Sequence, residues 1–566
     1  MIEFVRKRVV VFIVTGILCV HILLLAWSAT VHSPTNGEVP ALAAGIYHWQ
    51  EGRFDLFRVN PPLIRMVAAV PVLFYAPKTD WRLNQDLLAS RDEFPVGIEF
   101  IRLNGEKSFF YFTLARLACI PFSLIGAVVC FLWARELYGT LSGLAALILW
   151  CLSPTVLGHA STIGPDAHAA ACGLLASYLF WHWLKSPCAS LMLFTGLALG
   201  LAELAKSTWI VFFPLWTLLW IAWRIVRKDQ SAKPPLAGLC AILLIGMLCI
   251  NIGYGGERIF QPLGQFRFIS TALGGPTTET NNKMKGKNRF IGTPLESLPV
   301  PLPQNYILGI DIQRSDFEFQ SKNYLLGQWK FGGWWYYYLA AFLVKEPVAL
   351  TILLLSSVFL FFRRLKFDEV VLSVPAVVVF LLVSSQTGMN QHYRYALGAL
   401  PFLFVFASKF VAAERRVFRV MPLLLLGWYG LSSLAVFPGG LSYFNDVVGG
   451  PQQGHRYLLG SNLEWGQDVL LLKKWGDTYS DARPLFVDQA SYFDVDMADL
   501  DSDGLPPTPL VPGWYAIGVN RLYDREKQYR YFLNYEPVAR AGYSIYIYHV
   551  PLEEANRVRT GMETKE

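Results

Sequence analysis

Long apolar runs, set apart by short basic stretches or by long polar ones, dominate this chain. They lie near Val9–Trp27, Phe112–Trp133, Leu141–Val156, Ala167–Leu184, Leu191–Ala205, Trp209–Trp223, Leu236–Ile252, Tyr338–Phe362, Val370–Ser384, Ala396–Phe410 and Met421–Phe437. A helix needs roughly 20 mostly apolar residues to cross a bilayer, so the pattern predicts about eleven transmembrane helices. The runs on either side of Ala205–Thr208 are short, which leaves ten or twelve open. Three polar stretches are too long to be tight connections: about 29–110, about 253–337 and the tail from Pro438 to Glu566.

Lysine and arginine in the short connections orient the bundle. Arg6, Lys7 and Arg8 precede the first run, Arg135 follows the second and Lys185 the fourth. Arg224, Arg227, Lys228 and Lys233 separate the sixth from the seventh, Arg363, Arg364 and Lys366 follow the eighth, and Arg415, Arg416 and Arg419 the tenth. With eleven spans and the N-terminus inside, all of them fall on the inner face, and the three long polar stretches fall outside. The expected fold is therefore mainly α: a polytopic membrane helical bundle, 1–437, with outer loops, then a small extracytoplasmic α/β domain, 438–566. In that tail Ser461-Asn462-Leu463-Glu464 reads as a capping box opening a helix, and PLFVDQ, GWYAIGV and YSIYIYHV read as strands.

Composition agrees, since 54% hydrophobic and 16% charged residues in a 566-residue chain suit neither a soluble protein nor a single-span anchor. The net charge of +7 follows from the inner loops and is no nucleic-acid signal. No GxxxxGK[ST] occurs, which argues against an ATP-driven pump. The first run exceeds a usual signal-peptide core and reads as an uncleaved anchor. The eight cysteines lie in or beside spans, so the exported parts hold together without disulfides.

Ionisable groups at the edge of the hydrocarbon are costly and hint at function. Four places at outer span ends carry them. Glu38 and GRFDLFRVNPPL, Gly52 to Leu63, occupy the first loop, where Pro61-Pro62 hold Asn60 extended, and LIRMVAAVPVLFYAP has the spacing of a helix lying on the membrane surface. Arg116 enters the second span from outside. HASTIGPDAHAA places Asp166 in the first turn of the fourth span beside His159 and His168, where a helix dipole alone would favour an acid. Lys206, Lys345, His392 and Arg394 lie at outer ends, where snorkelling to lipid accounts for any one cation and an anionic headgroup accounts for several. A carboxylate base with cations for a departing phosphate suits sugar transfer from a lipid-linked sugar phosphate to a hydroxyl.

The order of features resembles the membrane C-type glycosyltransferases, the superfamily of protein O-mannosyltransferases, aminoarabinose transferases and bacterial phospholipid-carrier-dependent glycosyltransferases. The pieces that carry the resemblance are SPTNGEVPALAAG with FDLFRVNPPL, ARELYG, SPTVLGHASTIGPD, GLALGLAELAKST, HYRYALGALPF and SYFNDVVGGPQQGHRYLLGSNLEWGQDVLLLKKW. The resemblance implies a polyprenyl-phosphate sugar donor taken from the outer leaflet, inversion at the anomeric carbon, and adjacent Asp-Glu in the first outer loop supplying the base. Asn36-Gly37-Glu38 stands there instead: the Glu is kept, the Asp is Gly37, and the His that often follows is Ala41. Glu38 is then the expected base. Asp166 matches the second outer acid, which orients the acceptor or a divalent cation. Lys206 and Arg394 match positions near the lipid phosphate, with Lys345 and His392 beside them. Secondary candidates are Asp55, Asn60, Arg116 and His159.

Two separated carboxylates do not establish a metal, so no cofactor is certain and a divalent metal stays open; the lipid-linked sugar phosphate is the donor substrate implied. Expected partners are that donor, membrane lipid and an acceptor protein, lipid or glycan, without nucleic acid; the expected location is a bacterial inner membrane. Two other readings stay open. One is a lipid-carrier or glycoconjugate transporter, with Gly196 and Gly200 packing helices closely and Glu203 as an intramembrane acid. The other is a relative inactivated by the loss of an acid at Gly37.

Overall fold

The computed structural model describes residues 2–227, 233–276, 286–363, 366–412, 417–526 and 528–563, and every apolar run in it is helical. In hydrocarbon a backbone must satisfy its own polar groups, and a helix does so within one segment. Among the described residues six helices are long and apolar enough to cross a membrane: 8–31, 107–138, 207–226, 236–253, 367–385 and 393–412. Eight result when two bent pairs, Thr140–Cys151 with Pro154–Ala160 and Tyr337–Lys345 with Val348–Phe362, each count as one. The other runs form the helix Pro165–Lys185 and the shorter apolar helices Ala189–Ala205 and Val417–Leu434. The chain is an integral multi-pass membrane protein.

The run Tyr338–Phe362 differs from expectation. Its two helices meet at 116°, because Pro347 forces Glu346 into the extended region (φ −103, ψ 147) and so ends the first helix. The other pair bends by 55° at Leu152–Ser153, where Ser153 Oγ accepts the Val156 N–H and Pro154 takes the first helical position. Gly196 and Gly200 lie against the helix Leu236–Gly253, where a Cβ would meet Ile245 or Cys249.

Charges from the short connections pair with one another at the ends of their helices. Asp368 accepts the Trp181 Nε1–H at 2.8 Å and a bond from Arg227 at 2.5 Å, and Lys409 pairs with Glu369 at 2.6 Å. Of the basic residues used for orientation, Lys228, Arg364, Arg415 and Arg416 lie outside the described residues.

The first outer loop is helical at Glu38–Glu51, Leu63–Leu73 and Glu93–Asn104. Its middle helix buries Ile64, Arg65, Ala68, Ala69 and Val72 and exposes Val70, so it is packed on one side, against the span Lys107–Tyr138 and the helices Glu38–Glu51 and Ala189–Ala205. The second outer loop carries the helix Gln304–Glu318. Glu203 Oε2 accepts the Tyr306 hydroxyl of that helix at 2.8 Å, so the acid expected within the membrane anchors this loop.

Beyond Pro438 the chain builds a four-stranded sheet ordered Leu485–Asp488, Gly513–Gly518, Ile545–Val550, Ala539–Ala541, with the first pair parallel and the rest antiparallel. The three runs read as strands are its three longest members. The capping box is not formed. Gly460–Asn462 is a single 3-10 turn, the helix starts at Val469, and the Glu464 carboxylate accepts N–H groups of Ala490 and Asn520. Distant strand-end amides thus win over the local cap.

Candidate active site

Breaks in regular structure place the polar side chains. The helix Ala189–Ala205 stops at Lys206, which is extended (φ −160, ψ 128) before the 3-10 turn Ser207–Val211. This aims Lys206 Nζ at Asp166 Oδ1, 2.5 Å away. Asp166 sits in the first turn of the helix Pro165–Lys185, and its Oδ2 lies 3.5 Å from Arg394 Nε. Arg394 belongs to the 3-10 segment Tyr393–Ala399 and donates from Nη1 to Ser461 Oγ at 2.9 Å. The Tyr395 ring lies under both cations, 5.3 Å from Lys206 and 5.6 Å from Arg394.

These residues line a cavity of about 420 Å³. Its walls come from the first outer loop (Gly37, Asn60, Arg91), the 163–166 turn, Lys206, the second outer loop (Gln313, Asp316), the 389–395 segment and the C-terminal unit (Ser461, Glu464, Trp465, Tyr492). A second, mostly apolar groove of about 280 Å³ adjoins it. Ile210, Val211, Leu382 and Val383, from two membrane-length helices, line the groove, and it shares Lys206, Asn60, Gln313 and Tyr395 with the polar cavity.

Of the expected site residues, Asp166, Lys206, Arg394, His392 and Asn60 meet in the cavity wall. His392 Nδ1 is 2.6 Å from Ser461 Oγ, and burial with the nearby Arg394 charge holds its imidazole well below the usual range.

Glu38 does not meet them. Its side chain is fully buried, and each carboxylate oxygen accepts two bonds: Oε1 from Arg116 Nε (2.8 Å) and Ile163 N (3.0 Å), Oε2 from Arg116 Nη2 (2.8 Å) and Thr35 N (2.8 Å). A carboxylate has about four lone-pair sites, so none is left for a substrate proton. Burial pushes the carboxyl up, but the Arg116 charge and hydrogen bonds with the two backbone donors outweigh it and hold Glu38 below the usual range. Arg116 is equally saturated, donating also to the carbonyls of Ala29, His32 and Ser33. The pair ties the first outer loop to the turn that carries Asp166.

Three other expected residues serve the frame. Asp55 is held by Tyr47 (3.0 Å), Arg53 (2.7 Å) and Asn84 (3.0 Å). Lys345 is buried, donates to the Leu441 and Asn462 carbonyls at 2.9 and 2.7 Å, and is not among the residues lining the cavity. His159 is buried behind the Trp465 ring, centroids 6.2 Å apart.

The sequence reading missed the segment Ser461–Trp465. Trp465 stacks on the Arg394 guanidinium at 4.1 Å, and a Cβ at position 37 would come 2.5 Å from its Cζ2. A side chain at position 37 would therefore have to displace the indole. The signal was present as SNLEWGQD, and local reading as a helix cap hid it. Arg91 with Asp316, 3.0 Å apart, was missed because the two lie in separate loops.

Among the described residues no group of three or more His, Cys, Asp or Glu could hold a metal ion. Asp166 and Asp316 each have a cation against them instead. This donor set does not fit a metal centre.

The fold and cavity define a multi-pass membrane protein in which a charged polar cavity adjoins a mostly apolar groove lined in part by two membrane-length helices. Residues 105–250 match the family model of dolichyl-phosphate-mannose-protein mannosyltransferases, which bears out the superfamily resemblance carried by the motifs. No curated protein matches the chain. Similar solved structures include ArnT from Cupriavidus metallidurans bound to undecaprenyl phosphate, at 11% identity and TM-score 0.46, covering 94% of this chain and 97% of that one. Another is the oligosaccharyltransferase AglB from Archaeoglobus fulgidus in complex with an inhibitory peptide and a dolichol-phosphate, at 12% identity and TM-score 0.44, covering 93% of this chain and 72% of that one.

Proposed function

We propose that the protein transfers a sugar from a polyprenyl-phosphate carrier to an acceptor hydroxyl at the outer face of a bacterial inner membrane, with the N-terminus cytoplasmic and inversion at the anomeric carbon. The observation that carries this reading is the shared wall of Lys206 and Tyr395 between the apolar groove and the polar cavity. A polyprenyl tail lies in the groove between two spans, and its phosphate reaches Lys206 and Arg394. The matched family, named for a dolichyl-phosphate sugar donor, supports the same donor chemistry.

In the reaction the acceptor oxygen attacks the anomeric carbon and the bond to the phosphate oxygen breaks. The phosphate leaves as an anion, so two cations serve where an alkoxide would need a general acid. Asp166 holds Lys206 and Arg394 in place and is displaced from them in part when the phosphate binds. Glu38 with Arg116 is an internal strut. The test is release of undecaprenyl phosphate from a panel of undecaprenyl-phosphate hexoses and pentoses by the protein in nanodiscs. Wild type should turn over at least one donor and Lys206→Ala should fall at least 100-fold; equal release by both would remove the cation from the reaction.

A further inference from the structure

Three carboxylates line the cavity, and their surroundings differ. Asp166 is paired with Lys206 and Arg394, and Asp316 with Arg91. Glu464 makes no ion pair among the described residues. Its carboxylate is fixed by single backbone bonds, Oε1 from Ala490 N at 3.1 Å and Oε2 from Asn520 N at 2.6 Å, so each oxygen keeps a lone pair. It precedes Trp465, whose ring covers the Arg394 guanidinium, and so stands on the C-terminal wall of the cavity that also holds the cations.

Resting on the transfer reading above, we infer that Glu464 is the general base that takes the acceptor proton. The acceptor O–H gives its proton to a Glu464 oxygen as the new carbon–oxygen bond forms. The electron pair of the breaking bond leaves on the lipid phosphate, and neutral Glu464 then returns the proton to water. A base works best when its own proton affinity matches the working pH, and burial pushes the Glu464 carboxyl up to about 7. The charges facing it are Arg521 and Asp468 of its own unit, with Arg394 behind Trp465 and Asp166, Lys206, Asp316 and Arg91 on the other walls. A paired carboxylate such as Asp166 stays ionised but is a weaker base, and Glu38 has no free lone pair.

Water and azide separate the roles, because azide attacks an anomeric carbon without losing a proton. Undecaprenyl-phosphate sugar is offered to wild type and to Glu464→Gln, and released undecaprenyl phosphate and glycosyl azide are measured from pH 5 to 9. Release to water should rise through a pKa near 7 in wild type and fall at least 100-fold in the variant. Glycosyl azide formation should be flat with pH and within about threefold in both proteins. Loss of both reactions in a variant that still melts like wild type would make Glu464 a donor-positioning residue and overturn the inference. If the variant does not fold, the wild-type profiles decide: matching pH profiles for water and azide overturn it. No release by wild type with any donor sinks the transfer reading itself, and the base with it.

Discussion

Replacing Glu38 with glutamine separates a strut from a catalyst. The carboxylate and the Arg116 guanidinium are 0% and 1% exposed and share a two-pronged ion pair. Removing one partner of such a pair costs about 3–5 kcal/mol, since a buried charge is left uncompensated. The amide nitrogen of glutamine would also point a donor at the N–H of Thr35 or Ile163. Removing both charges does not cure this site. Five backbone groups, the N–H of Thr35 and Ile163 and the carbonyls of Ala29, His32 and Ser33, use the pair as partner, and each unsatisfied group costs about 1–3 kcal/mol. Both Glu38→Gln and the double variant Glu38→Gln with Arg116→Met should therefore melt well below wild type in nanodiscs. Because the folded carboxyl lies below its ordinary 4.5, this stabilisation is full above that value and is lost as pH falls through the lowered one. A Glu38→Gln protein with wild-type melting and donor binding but no turnover would refute the reasoning and return Glu38 to the chemistry.

The remaining predictions concern the cavity wall. Gly37→Ala drives a Cβ into the Trp465 ring and should cost about 1–3 kcal/mol, read as a lower melting midpoint that adding Trp465→Ala restores; an unchanged midpoint would mean the indole moves freely. Arg394→Lys keeps the charge but loses the Trp465 stack and the Ser461 bond, so undecaprenyl phosphate affinity should fall about tenfold or more, measured by native mass spectrometry. The raised Glu464 carboxyl binds its proton more tightly folded than unfolded, so its contribution is fully present below 4.5 and is lost as pH rises to about 7, by up to about 3 kcal/mol. Glu464→Gln should accordingly melt higher relative to wild type at pH 8 than at pH 5, and a constant difference would contradict the shift.

The spans were legible because a helix in lipid announces itself by a long apolar run, and each run is helical even where Pro347 or Ser153 breaks it. The cavity cations Lys206 and Arg394 were legible because several positive charges fall together at span ends, where snorkelling explains only a single one. Asp166 was legible by the same edge placement. The base was not. Glu38 and an exposed carboxylate look alike in sequence, and only the geometry shows that Arg116 and two amides fill every lone pair. Lys345 misled for the same reason, as its partners are main-chain carbonyls that carry no sequence signal. Glu464 and Trp465 reach the cavity through the pairing of 33–36 with 465–467, in which Asn36 N–H bonds Trp465 O and Ser33 N–H bonds Gln467 O. Contacts across more than four hundred residues leave no local pattern.

Sugar transfer as proposed requires a lipid phosphate to reach Lys206 through the groove. Binding of undecaprenyl phosphate and of a water-soluble short-chain isoprenyl phosphate should be compared in wild type and in Ile210→Trp, which narrows the groove without touching a charge. The long chain should lose at least tenfold in affinity and the short one should change little. Equal binding of the long chain by both proteins would contradict the groove as its path, and with it the placement of the donor.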